Sequence, residues 1–317
     1  VFTDHNGRFI IAGPAGVQRF NYDMAGRLPL QRKAIGASDA WANVETAMLL
    51  PFDHQVSRID LTAGVAQVHQ ASVITDERGS RKATVVFNDI TQAKVVSRDG
   101  SERVLDEFLF TATEHVTPAS MPGPLPDTTA FTYCAELHVD GVRYDDTVVF
   151  DNDVTLMVDN FLGFEVGEIV PVGSFNTITS EWEGQPNGVI VMAIDSDNDG
   201  TIDGVDYTGD RIADDLTKDG STTDEALGLA GYSDGDTLMW SRLSHFSAAD
   251  LNFAQQGDEG SNDAGAESGE DDKDDETECT GSYVKPYQQS FHEDIELAGT
   301  DIQLHYSSQR TGDYHHK

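Results

Sequence analysis

Residues 188–206 read GVIVMAIDSDNDGTIDGVD, a continuous apolar run that breaks into a series of aspartates. The acidic part has the spacing of a calcium loop. Asp195, Asp197 and Asp199 occupy the first, third and fifth positions, and Gly200 stands where the chain must turn sharply. Thr201 would offer its carbonyl, Ile202 would anchor the loop in a core, and Asp203 and Asp206 take the ninth and twelfth positions. Calcium binds six to eight hard oxygens, and this spacing wraps them round one point. A helix–loop–helix sensor ends on a bidentate Glu and needs a helix on each side. Here Asp stands last, and GVIVMAI is an apolar run of strand type. A second acidic turn follows with Asp206, Asp210, Asp214 and Asp215, then a third round Asp219-Gly220 with Asp224 and Glu225. The expectation is a structural calcium loop held between strands; a solvated acidic loop that binds nothing in particular is the plainer alternative.

Charge is concentrated round that stretch. The 317 residues carry a formal net charge of −36. Thirteen Asp and Glu between 195 and 236 meet only Arg211 and Lys218, and eleven between 255 and 279 meet only Lys273. These two segments explain most of the charge better than a uniformly acidic, salt-adapted surface does. Nucleic acid is a poor partner, because phosphate binding needs clustered Lys and Arg. No run of about 18 apolar residues exists, so no transmembrane segment is expected. The opening VFTDHNGRF has no charged-then-apolar leader and no initiator Met, so a piece of a longer chain is expected.

Short β-branched and aromatic runs broken by Gly, Asp and Asn turns dominate the remainder, which predicts an all-β sandwich or barrel. VFTDHNGRFIIAG predicts a hairpin at Asn6-Gly7, ASVITDERGSRKATVVF one at DERGS, and AKVVSRDGSERVL one at Asp99-Gly100. Further strands are expected in EFLFTATEHV, TAFTYCAELHV, DTVVF, VTLMVDNF, GVIVMAI and DTLMWSRLSHFS. In FTYCAELHV, alternation puts Tyr133, Ala135, Leu137 and Val139 on one face and a half-exposed Cys134 on the other. Cys134 and Cys279 are either a disulfide pair or two free thiols. The Pro-rich 117–129 predicts an extended surface connection. SDAWANVETAMLL, capped at Ser38 or Asp39 and stopped by Pro51, predicts the one long helix, although TAMLLPF reads equally as strand.

The expected organisation is a terminal hairpin over 1–28, a connecting segment over 29–60 and a β-sandwich region over 61–253 with its Asp-rich loop at 195–236. An acidic linker follows over 254–279, too polar and self-repelling to fold alone. Apolar patterning returns over 280–317.

No catalytic set emerges. GYSDG (231–235) spells a nucleophile elbow round Ser233, but that motif needs a strand before and a helix after it. SYVK is followed by Pro286, and HEDIE has no second His four residues after His292. A non-enzyme is expected.

Several stretches resemble bacterial Rhs/YD-repeat (tyrosine–aspartate repeat) proteins. FNYDMAGRL (20–28) has the spelling of one repeat. VDNFLGFEVGEIVPVGSFNTITSEWEGQPNGVIVMAIDSDNDG (158–200) and LSHFSAADLNF (243–253) look like the region upstream of the repeats. SFHEDIELAGTDIQLHYSSQRTGDY (290–314) looks like the first strands of the repeat shell, and TDHNGRFIIAGPAG (3–16) like the last hairpin of a small carboxypeptidase-regulatory-type sandwich. The family encloses a C-terminal toxin in a hollow β-shell. The resemblance implies a secreted or cell-surface bacterial protein in which this chain caps, plugs or joins the downstream shell, with upstream modules as further partners. The alternative is a free-standing calcium-dependent adhesin or glycan-binding β-sandwich, which predicts exposed Tyr207, Tyr232 and Trp240 near the loop.

Overall fold

Alternating apolar residues and frequent Gly turns make strands nearly all of the regular structure among the described residues. The computed structural model describes residues 3–125 and 131–252, with the backbone of 292–296 and 303–307. Two units divide the chain, Val1–Gly257 and Asp258–Lys317. In the first, β1 (Gly16–Tyr22) and β2 (Leu30–Gly36) form an antiparallel hairpin across the boundary expected at residue 28. There follow β3 (Ser57–Asp60), β4 (Gln67–Gln70), β5 (Ile74–Asp76), β6 (Gly79–Arg81), β7 (Ala83–Phe87), β8 (Ala93–Val96), β9 (Glu102–Val104) and β10 (Glu107–Glu114). The unit continues with β11 (Cys134–Val139), β12 (Thr147–Asp159), β13 (Ile169–Asn176), β14 (Glu181–Ile194), β15 (Gly204–Asp206), β16 (Thr237–Phe246) and β17 (Ala248–Asp250). In the second unit β18 (His292–Glu296) pairs antiparallel with β19 (Gln303–Ser307).

Thirteen of these strands make one antiparallel sheet in the order β3-β10-β11-β17-β13-β14-β16-β12-β7-β4, with β15 beside β14 and β8–β9 beside β12. The sheet curls until its two ends nearly meet, so the all-β body is close to a barrel. Side chains close the seam. The Asp60 N–H on β3 donates to Gln67 Oε1 on β4 at 3.1 Å, and Gln67 Nε2 returns a bond to the Asp60 carbonyl. His69 on β4 accepts the Ala112 N–H of β10 at Nε2, 3.3 Å away. Its Nδ1 therefore carries the proton and donates to Ser57 Oγ on β3 at 2.9 Å. Burial holds this imidazole neutral, with its pKa lowered to about 4. Inside, Phe87, Phe108, Phe110, Phe150 and Phe246 form one aromatic cluster in which Phe110 and Phe246 stack at 5.0 Å.

Four local expectations are corrected. Residues 37–50 form no helix. Met48 N–H instead bonds the Ala119 carbonyl and Leu28 N–H the Leu50 carbonyl, so tertiary partners take the backbone groups a helix would have used. Residues 4–8 turn at Gly7 (φ 74°) without a strand ladder on either side. The Pro-rich connection is not a surface strap over its first part. Pro118–Ser120 is a single 3-10 turn, and Met121 is fully buried. Arg32 of β2 grips this segment through the Met121 carbonyl at 3.0 Å and the Ala119 carbonyl at 2.7 Å. Met121, Phe175 and Ala248 consequently cover Cys134, so the expected half-exposed thiol is buried. Cys279 and the linker 254–279 lie outside the described residues.

Candidate metal centre

Strands, not helices, flank the acidic loop. β14 delivers the chain to Asp195, and β15 carries it away, pairing back on β14 as Met192↔Asp206 to Ile194↔Gly204. Beneath lies a second apolar cluster of Val86, Met157, Val191, Ala193, Val205, Leu229, Leu238 and Trp240. Ile202, Leu216, Leu227 and Tyr232 descend from the acidic segment onto it. Those anchors explain how a stretch so rich in like charges keeps a defined path.

Three successive turns share one backbone plan. Each opens on an aspartate whose carboxylate accepts an N–H five residues on: Asp195 from Gly200 at 2.8 Å, Asp206 from Arg211 at 2.7 Å, Asp215 from Gly220 at 2.9 Å. The third and fifth residues after each opening aspartate lie at positive φ: Asn198 and Gly200, Gly209 and Arg211, Lys218 and Gly220. Each turn also has a carboxylate four residues on that accepts the N–H two beyond it, as Asp199 does from Thr201 at 2.8 Å, Asp210 from Ile212 at 3.0 Å and Asp219 from Ser221 at 2.8 Å. A closing carboxylate then accepts the N–H next to the opening residue: Asp203 from Ser196, Asp214 from Tyr207 and Glu225 from Leu216. The turns sit close together. A Cβ built on Gly204 would meet the Ala213 Cβ at 2.4 Å, so only glycine lets the exit of the first turn pass the second.

In the first turn, carboxylate oxygens of Asp195, Asp197 and Asp203 lie within 4.8 Å of one another. Oxygens that share one calcium at about 2.3–2.6 Å are at most about 5 Å apart, so this trio fits a single ion. Asp195 and Asp203 are half-buried and Asp197 is exposed, which leaves an open side. Asp234, from the turn before β16, accepts the Asp195 N–H at 3.2 Å and pairs with Arg211 at 2.5 Å. The N–H of Asp195 and then Arg211 hold the Asp234 carboxyl below its usual range. Sequence spacing could not have found this brace, since Asp234 is 39 residues away.

The remaining acidic residues of the segment are placed as follows. Asp199 and Asp206 contribute no carboxylate oxygen to the trio, although the Asp199 N–H bonds both Asp195 and Asp197 in the same loop. Asp206, expected to close the first loop, is carried off by β15 and opens the second turn. Burial pushes its carboxyl up, but the N–H groups of Arg211 and Gly209 and the Thr208 hydroxyl outweigh that and hold it below the usual range. Asp210 and Asp214 belong to the same second turn, and Asp214 Oδ2 is occupied by the Tyr207 and Thr208 N–H groups.

No protein-family model, curated protein or solved structure matches the chain.

Two further expectations can be placed. Ser233 lies in a turn closed by Asp236 N–H on its carbonyl, with neither a strand before nor a helix after it. Of the aromatics near the loop only Tyr207 is exposed. Trp240 is buried, and Tyr232 packs under Lys82 with its hydroxyl on Asp159 at 2.6 Å. A cavity of about 890 Å³ opens against β11, β13 and the end of β16. Glu136 and Tyr144 line it, and Glu136 Oε2 and the Tyr144 hydroxyl are buried with no hydrogen-bond partner. Burial raises the Glu136 carboxyl to about 7. Among the described residues no helix is long and apolar enough to cross a membrane.

Proposed function

We propose that the chain is a non-catalytic β module clamped by one calcium ion at its first acidic turn. The observation that carries this reading is the Asp195–Asp197–Asp203 trio, three hard-oxygen ligands braced between paired strands. The ion neutralises carboxylates that otherwise repel one another and fastens β15 to the end of β14. The resemblance to Rhs/YD-repeat proteins supplies the setting: a secreted bacterial protein in which this module caps or connects the toxin-enclosing shell.

Calcium at about a hundred times its dissociation constant stabilises by about 2.7 kcal/mol. For a unit of this size about 2–4 °C accompanies each kcal/mol. EDTA is therefore expected to lower the melting temperature by about 5–10 °C, and Asp203→Asn to remove most of that response. A wild-type melting curve indifferent to EDTA refutes the clamp. The shell setting is tested by the downstream reading frame, where dozens of Tyr-Asp repeats are expected.

The cavity beside Glu136 favours a second reading, a binding module for a small hydroxylated ligand. On that reading glycan binding is lost in Tyr144→Phe.

A further inference from the structure

The third acidic turn differs from the second in what its oxygens find. In the second, Asp206 has the N–H groups of Gly209 and Arg211 and the Thr208 hydroxyl, and the Arg211 guanidinium lies alongside on Asp234. In the third, Glu225 is 3% exposed and spends one oxygen, Oε1, on the Leu216 and Thr217 N–H groups, both at 2.9 Å. Its other oxygen, Oε2, is buried without a partner, and so is Asp224 Oδ1. The Thr217 hydroxyl stands between Asp224 Oδ2 at 3.2 Å and Asp215 Oδ1 at 3.4 Å. Glu225 is buried and the neighbouring Asp224 half-buried, and two adjoining carboxylates with a buried oxygen each are costly unless a proton or a cation sits between them. Among the described residues no Lys, Arg or His forms an ion pair with either.

We propose that the third turn is a second divalent-cation site, with Glu225 Oε2 and Asp224 Oδ1 as its ligands and Asp215 and Thr217 closing round the ion when it binds. Every donor there is a hard oxygen, which selects calcium over softer transition metals. The site stands on the Glu225 orphan oxygen and does not depend on the first turn being occupied. It gives the ion a structural task, since Glu225 ties the chain after Gly220 back to Leu216, whose side chain packs on the second apolar cluster.

Calcium bound to the chelator-stripped full chain can be counted by equilibrium dialysis. Two ions are expected in the wild type, one in Glu225→Gln, one in Asp203→Asn and none in the double variant. Glutamine keeps a carbonyl for the Leu216 and Thr217 N–H groups, so the variant is expected to fold. If circular dichroism shows that it does not, Asp224→Asn takes its place with the same expected loss. A wild type that binds a single ion, lost in Asp203→Asn and kept in Glu225→Gln or Asp224→Asn, overturns this site and leaves the first standing. A single ion with the reverse response overturns the first and supports this one.

Discussion

Asp250→Asn is expected to gain stability on the wild type as pH rises, by about 1.4 kcal/mol per pH unit between pH 4 and 8. Asp250 is buried on β17, its Oδ1 has no partner, and burial raises its carboxyl to about 8. The unfolded chain gives up this proton near pH 4, whereas the folded chain keeps it to about 8. Across that window the folded state binds more protons, so rising pH favours unfolding. Asp250 thus contributes its stability below pH 4 and forfeits it progressively up to 8. The full difference is on the order of 5 kcal/mol. Glu136, raised to about 7 by burial, acts with the same sign. His69 and His115, both lowered to about 4 by burial, act with the opposite sign. They destabilise the fold as pH falls from about 6.5 toward 4, because the unfolded chain then binds protons the folded chain refuses. These four groups oppose one another from pH 4 to 6.5; above that His69 and His115 are silent, and Asp250 and Glu136 together lower stability further. Urea denaturation of wild type and variant at pH 4.5, 6.5 and 8.5 checks this. Stability curves that stay parallel across pH rule out the assignment to Asp250.

Arg81→Met is expected to cost about 3–5 kcal/mol, because it strands a buried carboxylate. The Arg81 side chain is wholly buried on β6. Its guanidinium donates to Asp76 through two bonds of 2.9 Å and to Glu114 of β10 through Nε at 2.8 Å, with a further Nη2 bond to Glu114. The Phe161 ring lies 4.5 Å from its carbon centre. The two carboxylates respond differently to one cation. Bonding to Arg81 holds the third-exposed Asp76 far below the usual range, whereas burial outweighs that pairing at Glu114 and raises it. Arg81 and Arg78 are also what holds the small β5–β6 hairpin to the main sheet, Arg78 by donating to the Thr132 carbonyl at 3.1 Å. Adding Glu114→Gln to Arg81→Met should recover much of the loss in urea melts. A double variant no better than the single one shows that lost packing, rather than the stranded charge, sets the cost.

Much of this architecture can be read in the residues. Period-two patterning and Gly turns identify β7, β8, β9, β10, β11, β16 and the loop-bearing end of β14, because those segments pack one face on a core and turn where glycine or aspartate allows. What patterning could not separate was sandwich from barrel, since both alternate alike and only the contact of β3 with β4 distinguishes them. The false helix at 38–50 had a cap, a stop and no amphipathic stripe, and long-range hydrogen bonds to Leu28 and Ala119 claimed its backbone. Cys134 was misplaced because alternation assumes one wet face, and Met121 arrives from outside the strand to cover the second. At the first acidic turn, spacing singled out Asp195, Asp197 and Asp203, whose carboxylates do come together, but it assigned Asp206 to the same loop by analogy with a helical one. A strand rises about 3.3 Å per residue against 1.5 Å in a helix, so leaving the loop on β15 takes Asp206 out of reach. Asp234 and the orphan oxygen of Glu225 depend on three-dimensional placement that spacing does not carry.

The seam stitched by His69 and Gln67 bears on how this body can meet a neighbour. With β3 and β4 turned toward each other, these two end strands of the described sheet offer no long row of free amides for a foreign strand to zip onto. Two of its outlying strands, β9 and β15, are only three residues each. A neighbouring chain would therefore meet it there by faces and loops, side chain against side chain. Such a joint can be released and remade without unravelling either partner.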